Sequence, residues 1–156
     1  KIFIFGFTFM IWRYFIQKML DKGISYDFKD SILIHSGGWK KMEGISVDNE
    51  KFKEGVKRSL NINKVHNFYG MVEQVGSIFF ECEEGFLHAP SFSDIFTLDP
   101  ITLQNTNFGE IGLIKVLSCL PKSYPGHSLL TEDKKLVTPG NLTVGTKLLH
   151  KSFSMR

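Results

Sequence analysis

Cysteine is scarce in this chain: Cys82 and Cys119 are the two thiols among 156 residues. Two cysteines make no disulfide framework, and a reducing cytoplasm is the default setting for such a sequence. The chain also lacks an apolar run long enough for a bilayer. Its greasiest stretch, Ile2 to Trp12, stops at Arg13 and is about one-third to one-half of what a membrane span needs. Trp12-Arg13-Tyr14 is no small-residue cleavage site, so the opening does not read as a signal peptide. There is little net charge, +3, and no basic stripe interleaved with aromatics, which argues against nucleic-acid binding. A phosphate-binding G-x-x-x-x-G-K-[ST] loop is missing, as are internal repeats and low-complexity tracts.

What is present belongs to a globular protein. The apolar share is 42% and the charged share 22%, and the length suffices for a buried core. Fifteen phenylalanines point to an aromatic core or a greasy interface. The first residue is Lys, and the chain opens inside a core-like strand, so the expectation is a cut piece of something longer.

The first half alternates strand and helix. Ile2-Phe3-Ile4-Phe5, closed by Gly6, reads as a strand buried on both faces. Thr8 is placed to cap a helix reaching about Lys22, with Ile11, Phe15 and Met19 on one face and Gly23 at its C-terminal end. Ile32 to His35 is the next strand. Asp48 or Asn49 can cap a helix through about Leu60, and Lys64 to Tyr69 is a third strand. This β-α-β-α-β pattern predicts a parallel sheet, with ligands beyond the C-terminal strand ends. From Ser77 the texture changes to short β-like runs at 78–82, 95–98 and 111–117. Turn signals separate them: Glu84-Gly85, Asp99-Pro100, Phe108-Gly109 and Pro125-Gly126. The fold class expected is therefore α/β, a parallel β-α-β portion followed by a β-rich, barrel-like portion. The divisions expected are 1–76, 77–133 and a divergent or truncated tail, 134–156.

Three constellations could carry chemistry. In Tyr69-Gly70-Met71-Val72-Glu73, an aromatic ring at a strand end can stack on a base. Gly70 lets a ligand approach the backbone, and the Glu73 carboxylate can hold a magnesium ion that bridges phosphates. A core tyrosine and a solvated glutamate explain the same residues. His35-Ser36-Gly37-Gly38-Trp39-Lys40 puts paired glycines after a strand, which suits close backbone approach or an ordinary turn. Thr131-Glu132-Asp133 offers a carboxylate to ribose hydroxyls, or is an acidic surface segment. His35, His66 and His127 are candidates for acid–base roles.

Taken in order, these phrases resemble the second half of the adenylate-forming superfamily, with Gly109-Glu110-Ile111-Gly112-Leu113 falling between the last two. The phrases HSGGWK (35–40), FYGMVEQVG (68–76), FFECEEG (79–85) and YPGHSLLTED (124–133) are similar to those of the bacterial acyl-protein synthetases of the luminescence aldehyde pathway. Phenylacetate-CoA ligases are similar but more distant. The resemblance covers about Ile2 to Asp133.

That resemblance implies a part of the large domain of an ATP-dependent ligase. Such an enzyme forms acyl-AMP from a fatty acid and passes the acyl group to a protein thiol. It implies ATP and Mg2+ as cofactors, with Tyr69 beside adenine, Gly37 and Gly38 lining the adenine and acyl side, and Gly70 near the nucleotide. Glu73 would hold the magnesium and act in catalysis, and Asp133 would grip the ribose. It implies a fatty-acid reductase complex as partner. The superfamily's phosphate loop and its lysine-bearing small domain have no counterpart here. No cysteine follows Cys119 to accept an acyl group. Cys82 and His88 make at most half of a structural zinc site, and a buried Cys with a surface His explains them as well. Two rivals stand beside the ligase reading: activation of an aryl or other carboxylate for CoA or a polysaccharide, and a non-catalytic nucleotide-binding remnant.

Overall fold

The computed structural model describes residues 1–39, 44, 46–122, 124–138 and 143–145. Lys40 of the 35–40 phrase, and residues 139–142 and 146–156 of the tail, lie outside the described residues. The described chain falls into two compact units, one within Lys1–Asn67 and one within Phe68–Leu148. The fold is mixed α/β, with a parallel pair of strands in the first unit and an antiparallel sheet in the second.

The first unit runs β1 (Phe3–Phe7), α1 (Thr8–Met10), a π-helical segment (Ile11–Ile16), α2 (Gln17–Asp21), β2 (Ile32–Ser36), α3 (Asn49–Leu60) and β3 (Lys64–Tyr69), whose last two residues belong to the second unit. β1 and β2 pair in parallel, from Phe3 opposite Ile32 to Phe7 opposite Ser36. Helix α3 starts where a carboxylate satisfies a free amide: Asp48 Oδ1 accepts from the Lys51 N–H at 2.7 Å. Gly23 ends α2 at φ +64°, with the Ile24 N–H on the Met19 carbonyl and its own N–H on Leu20, a Schellman closure. The core gathers Trp12, Ile16, Phe52, Val56 and Leu60 over Leu33 and Val65. Gly55 makes this packing possible, because a Cβ there would sit 2.6 Å from the Trp12 ring.

Four expectations fail in this unit. Phe15 does not share the buried helix face with Ile11 and Met19: it is exposed, and Trp12 and Ile16 are buried with them instead. β1 is not buried on both faces, since Phe3, Phe5 and Phe7 are exposed. Burial depends on what packs against a strand, and an apolar run alone does not reveal that. Gly6 lies inside β1 rather than closing it, and a Cβ there would be 3.3 Å from Ile11 Cγ1. Thr8 does not cap the helix, whose N-cap position is Phe7. Its hydroxyl instead pairs with His35 Nδ1 at 2.9 Å, because a buried imidazole competes for it more effectively than solvated amides do.

In the second unit, the 3-10 turn Val72–Gln74 precedes β4 (Phe79–Glu81), β5 (Phe86–His88), β6 (Ser93–Leu98), β7 (Ile111–Ser118), β8 (Ser128–Thr138) and β9 (Thr143–Gly145). Each neighbour pairs antiparallel: β4 with β5, β5 with β9, β9 with β8, β8 with β7, and β7 with β6. Phe79, Leu87, Ile95, Ile114 and Val116 form one core, so β4 and β5 wrap over the same apolar centre as β6 and β7. The turns use the expected residues. Gly85 and Gly109 have φ of +82° and +84°, and Asp99 Oδ1 accepts from the Ile101 and Thr102 amides.

Candidate functional site

β3 delivers Tyr69 to a strand end, where Phe68 and Tyr69 pair with Phe80 and Phe79 of β4. β8 carries Asp133 in mid-strand, so the Thr131-Glu132-Asp133 segment is part of a strand. The two side chains meet: Tyr69 Oη donates to Asp133 Oδ2 at 2.9 Å. Burial, the Asp133 charge and the nearby Glu73 carboxylate push the Tyr69 phenol above its ordinary pKa of 10.0. The phenol therefore keeps its proton and stays a donor to Asp133. Thr131 Oγ1 accepts from the Asp133 N–H at 3.2 Å, which fixes the backbone beneath the carboxylate. The Tyr69 ring packs against Phe79 at 6.0 Å between centroids, so the phenol ring is held on one side by the second core.

Glu73 sits exposed in the 3-10 turn, close enough for its charge to act on Tyr69. That turn is anchored by residues the sequence reading passed over. Gln74 is buried and donates from Nε2 to the Val116 carbonyl at 3.2 Å. Ser77, Ser118 and Ser93 chain their hydroxyls at 2.7 and 3.0 Å, joining the segment after the turn to β7 and β6. The Tyr124 hydroxyl donates to the Glu73 carbonyl. A polar residue next to a motif carboxylate was the only available signal for Gln74, and the serine chain joins three distant segments that no local pattern links.

Gly70 has ordinary contacts at 3.6 Å or more where a Cβ would be, so its fold does not demand glycine there. Gly37 and Gly38 lie in the first unit. Gly37 has φ +85° and a Phe7 ring carbon 3.3 Å from its would-be Cβ, while Gly38 opens on space. Before them, His35 is buried with its ring 4.2 Å from Phe52. Burial, helped by the charges of Lys53 and His66, lowers its pKa to about 3. It is therefore neutral at pH 7, with a single ring N–H. Gly109-Glu110 is a turn device: Glu110 accepts from the Asn107 backbone and side-chain amides at 3.0 and 3.2 Å. Gly112 is needed because a Cβ would stand 2.6 Å from the Leu98 carbonyl oxygen. Cys82 bonds Phe86 through its backbone, and His88 pairs with Phe80. No cluster of three or more His, Cys, Asp or Glu suited to a metal occurs among the described residues.

The Tyr69 ring, the Asp133 carboxylate it bonds and the exposed Glu73 carboxylate thus fall in one part of the second unit. The family model described as acyl-protein synthetase, LuxE, matches residues 1–147. The chain belongs to the LuxE acyl-protein synthetase family. The long-chain-fatty-acid–luciferin-component ligase of Aliivibrio fischeri is 29% identical over 124 residues, which are 78% of this chain and 32% of the relative. The LuxE-family chain thus spans about a third of that relative's length. Among solved structures, an open conformation of 2-hydroxyisobutyryl-CoA ligase in complex with 2-HIB-AMP and CoA superposes with a TM-score of 0.65 at 16% identity, covering 91% of this chain and 31% of that one. ATP-bound MatB from Rhodopseudomonas palustris gives 0.59 at 14%, covering 91% and 30%. These likenesses show an adenylate-forming-enzyme fold. No helix among the described residues is long and apolar enough to cross a membrane.

Proposed function

We propose that this chain is the adenylate-binding part of a long-chain-fatty-acid:protein ligase. In this reading the complete enzyme joins a fatty acid to ATP, releasing pyrophosphate and forming acyl-AMP. It then transfers the acyl group to a protein thiol. The observation that carries it is the Tyr69–Asp133 hydrogen bond, which links two residues assigned to the base and the ribose of one nucleoside. Tyr69 flanks adenine, and Asp133 accepts from the ribose hydroxyls on the side the Tyr69 hydroxyl leaves free. Gly70 offers room for backbone approach. Glu73, exposed and negatively charged, supplies an oxygen ligand of the kind Mg2+ prefers. The ion would neutralise phosphate charge while the carboxylate attacks; the chain's own groups orient the nucleoside.

Membership in the LuxE family and the fatty-acid ligase of Aliivibrio fischeri support a fatty acid over an aryl acid. A fatty-acid reductase complex that consumes the acyl group in aldehyde formation for bioluminescence is the partner this reading implies. The scarcity of cysteine supports a cytoplasmic setting. The test is fatty-acid-dependent exchange of labelled pyrophosphate into ATP by the full-length protein with Mg2+. Exchange with a chain-length optimum is expected. Exchange driven equally by aryl acids, or none with any acid, would remove the reading.

A further inference from the structure

Glu73 sits in a 3-10 turn of three residues, Val72–Gln74, whose N-cap residue, Met71, makes no side-chain cap. A turn this short does not hold its own shape in water, because fixing its dihedrals costs more than its few hydrogen bonds give back. Its geometry is set by the chain packed against it. Much of that chain is the connection from β7 to β8. Leu120 Cδ1 packs 2.9 Å from where a Cβ of Gly76 would be, and Gly76 has φ +91°. Gly126 is buried, and a Cβ there would overlap the Tyr124 ring and stand 2.5 Å from the Glu73 carbonyl oxygen.

The tethers act on different residues of the turn. Gln74 Nε2 on the Val116 carbonyl, and Ser77 Oγ on Ser118 Oγ, fix the chain that follows Glu73. The Tyr124 hydroxyl falls on the Glu73 peptide itself, donating to its carbonyl. The Gly126 N–H on the Tyr124 carbonyl, at 2.8 Å, tightens the backbone that carries the ring. The Glu73 side chain is exposed, so the direction in which it leaves the turn is set by its peptide and not by packing. Magnesium demands near-ideal octahedral geometry and is held by one or two carboxylates together with substrate phosphates and water. A single exposed carboxylate fits that donor set, and a rotated peptide would carry it out of reach.

We infer that Tyr124 is a positioning residue, which holds the Glu73 peptide so that the Glu73 carboxylate meets the magnesium ion of bound MgATP. This rests on the proposal that Glu73 holds that ion. The Tyr124 hydroxyl is committed to the carbonyl, so its effect passes through Glu73.

The experiment is calorimetry of ATP binding to the full-length protein, in Mg2+ and in EDTA, read as the ratio of the two affinities. Tyr124 is 42% exposed and Phe keeps its ring, so Tyr124→Phe should leave the circular dichroism unchanged. Partners that orient a metal ligand from outside govern metal affinity by about 10–100-fold, and a tether on an exposed turn belongs below that range. Tyr124→Phe should therefore cut the gain from Mg2+ by about fivefold and leave binding in EDTA unchanged. Glu73→Gln should remove most of the gain, and Tyr124→Phe added to it should change nothing further. A wild-type gain in Tyr124→Phe would overturn the inference. So would an equal loss in Mg2+ and in EDTA, which is what a merely structural role predicts, or an equal loss of gain in the Glu73→Gln background. A full gain in Glu73→Gln would mean that Glu73 does not hold the ion, which also overturns it. Pyrophosphate exchange is scored separately. Exchange by the wild type alongside a full gain in Tyr124→Phe removes this inference and leaves the ligase reading standing, whereas a wild type that neither exchanges nor binds ATP removes both.

Discussion

Tyr69 and Asp133 stand 64 residues apart in the chain and one hydrogen bond apart in space. If they orient a nucleoside together, their contributions couple. In the full-length ligase, Asp133→Ala and Tyr69→Ala should each weaken binding of a non-hydrolysable acyl-adenylate analogue by about 1–3 kcal/mol. Tyr69→Phe keeps the ring and loses the bond. In a cycle with Asp133→Ala, calorimetry should find at least about 0.5 kcal/mol of non-additivity. Strict additivity would mean that the two residues serve different ligand groups. His35 makes a separate prediction. Its pKa falls from 6.5 to about 3 on folding, so between those values the unfolded chain binds the extra proton. Stability is therefore full above pH 6.5 and declines as the pH falls toward 3, by about 1.4 kcal/mol per unit. Urea unfolding should lose about 2 kcal/mol from this source between pH 7 and pH 5. His35→Gln, which can still bond Thr8, should flatten that slope.

The strands and helices follow the chain's local chemistry closely. Helix α3 begins after Asp48 because a carboxylate there satisfies an amide, and ends at Asn61, which adopts φ +54°. β3 spans Lys64–Tyr69, as its β-branched and aromatic content suggests. The glycines of the 109–113 motif are structural: one makes a turn, the other lets β7 lie beside Leu98. Gly112→Ala should therefore destabilise the fold by about 1–3 kcal/mol through overpacking against main chain that cannot yield. A urea midpoint equal to wild type would show that β6 and β7 can separate there. No local pattern marks β5, β8 or β9. β5 has three residues, too few for a pattern, and β8 mixes Ser, Thr, Glu, Asp and Lys with its apolar residues. Its strand state comes from pairing with β7, an interaction between distant segments.

If the full-length protein binds a nucleotide as proposed, binding and folding are linked. Free ligand at about 100 times its dissociation constant stabilises the state that binds it by about 2.7 kcal/mol. MgATP should accordingly raise the thermal midpoint of the full-length protein, and Asp133→Ala should remove most of that rise at the same concentration. A rise unchanged by the substitution would place the nucleotide elsewhere. The chain's composition, its β-α-β alternation followed by short β runs, and the four motif phrases were enough to indicate the α/β class, the family and the residues worth testing. Those features are written in local spacing, and local spacing governs capping, turns and strand or helix preference. Which face of β1 is open, that Thr8 serves His35 rather than its helix, and that Gln74 and three serines hold the Glu73 turn depend on which segments meet. Burial and hydrogen-bond satisfaction are properties of those meetings, so they emerge only once the chain is folded.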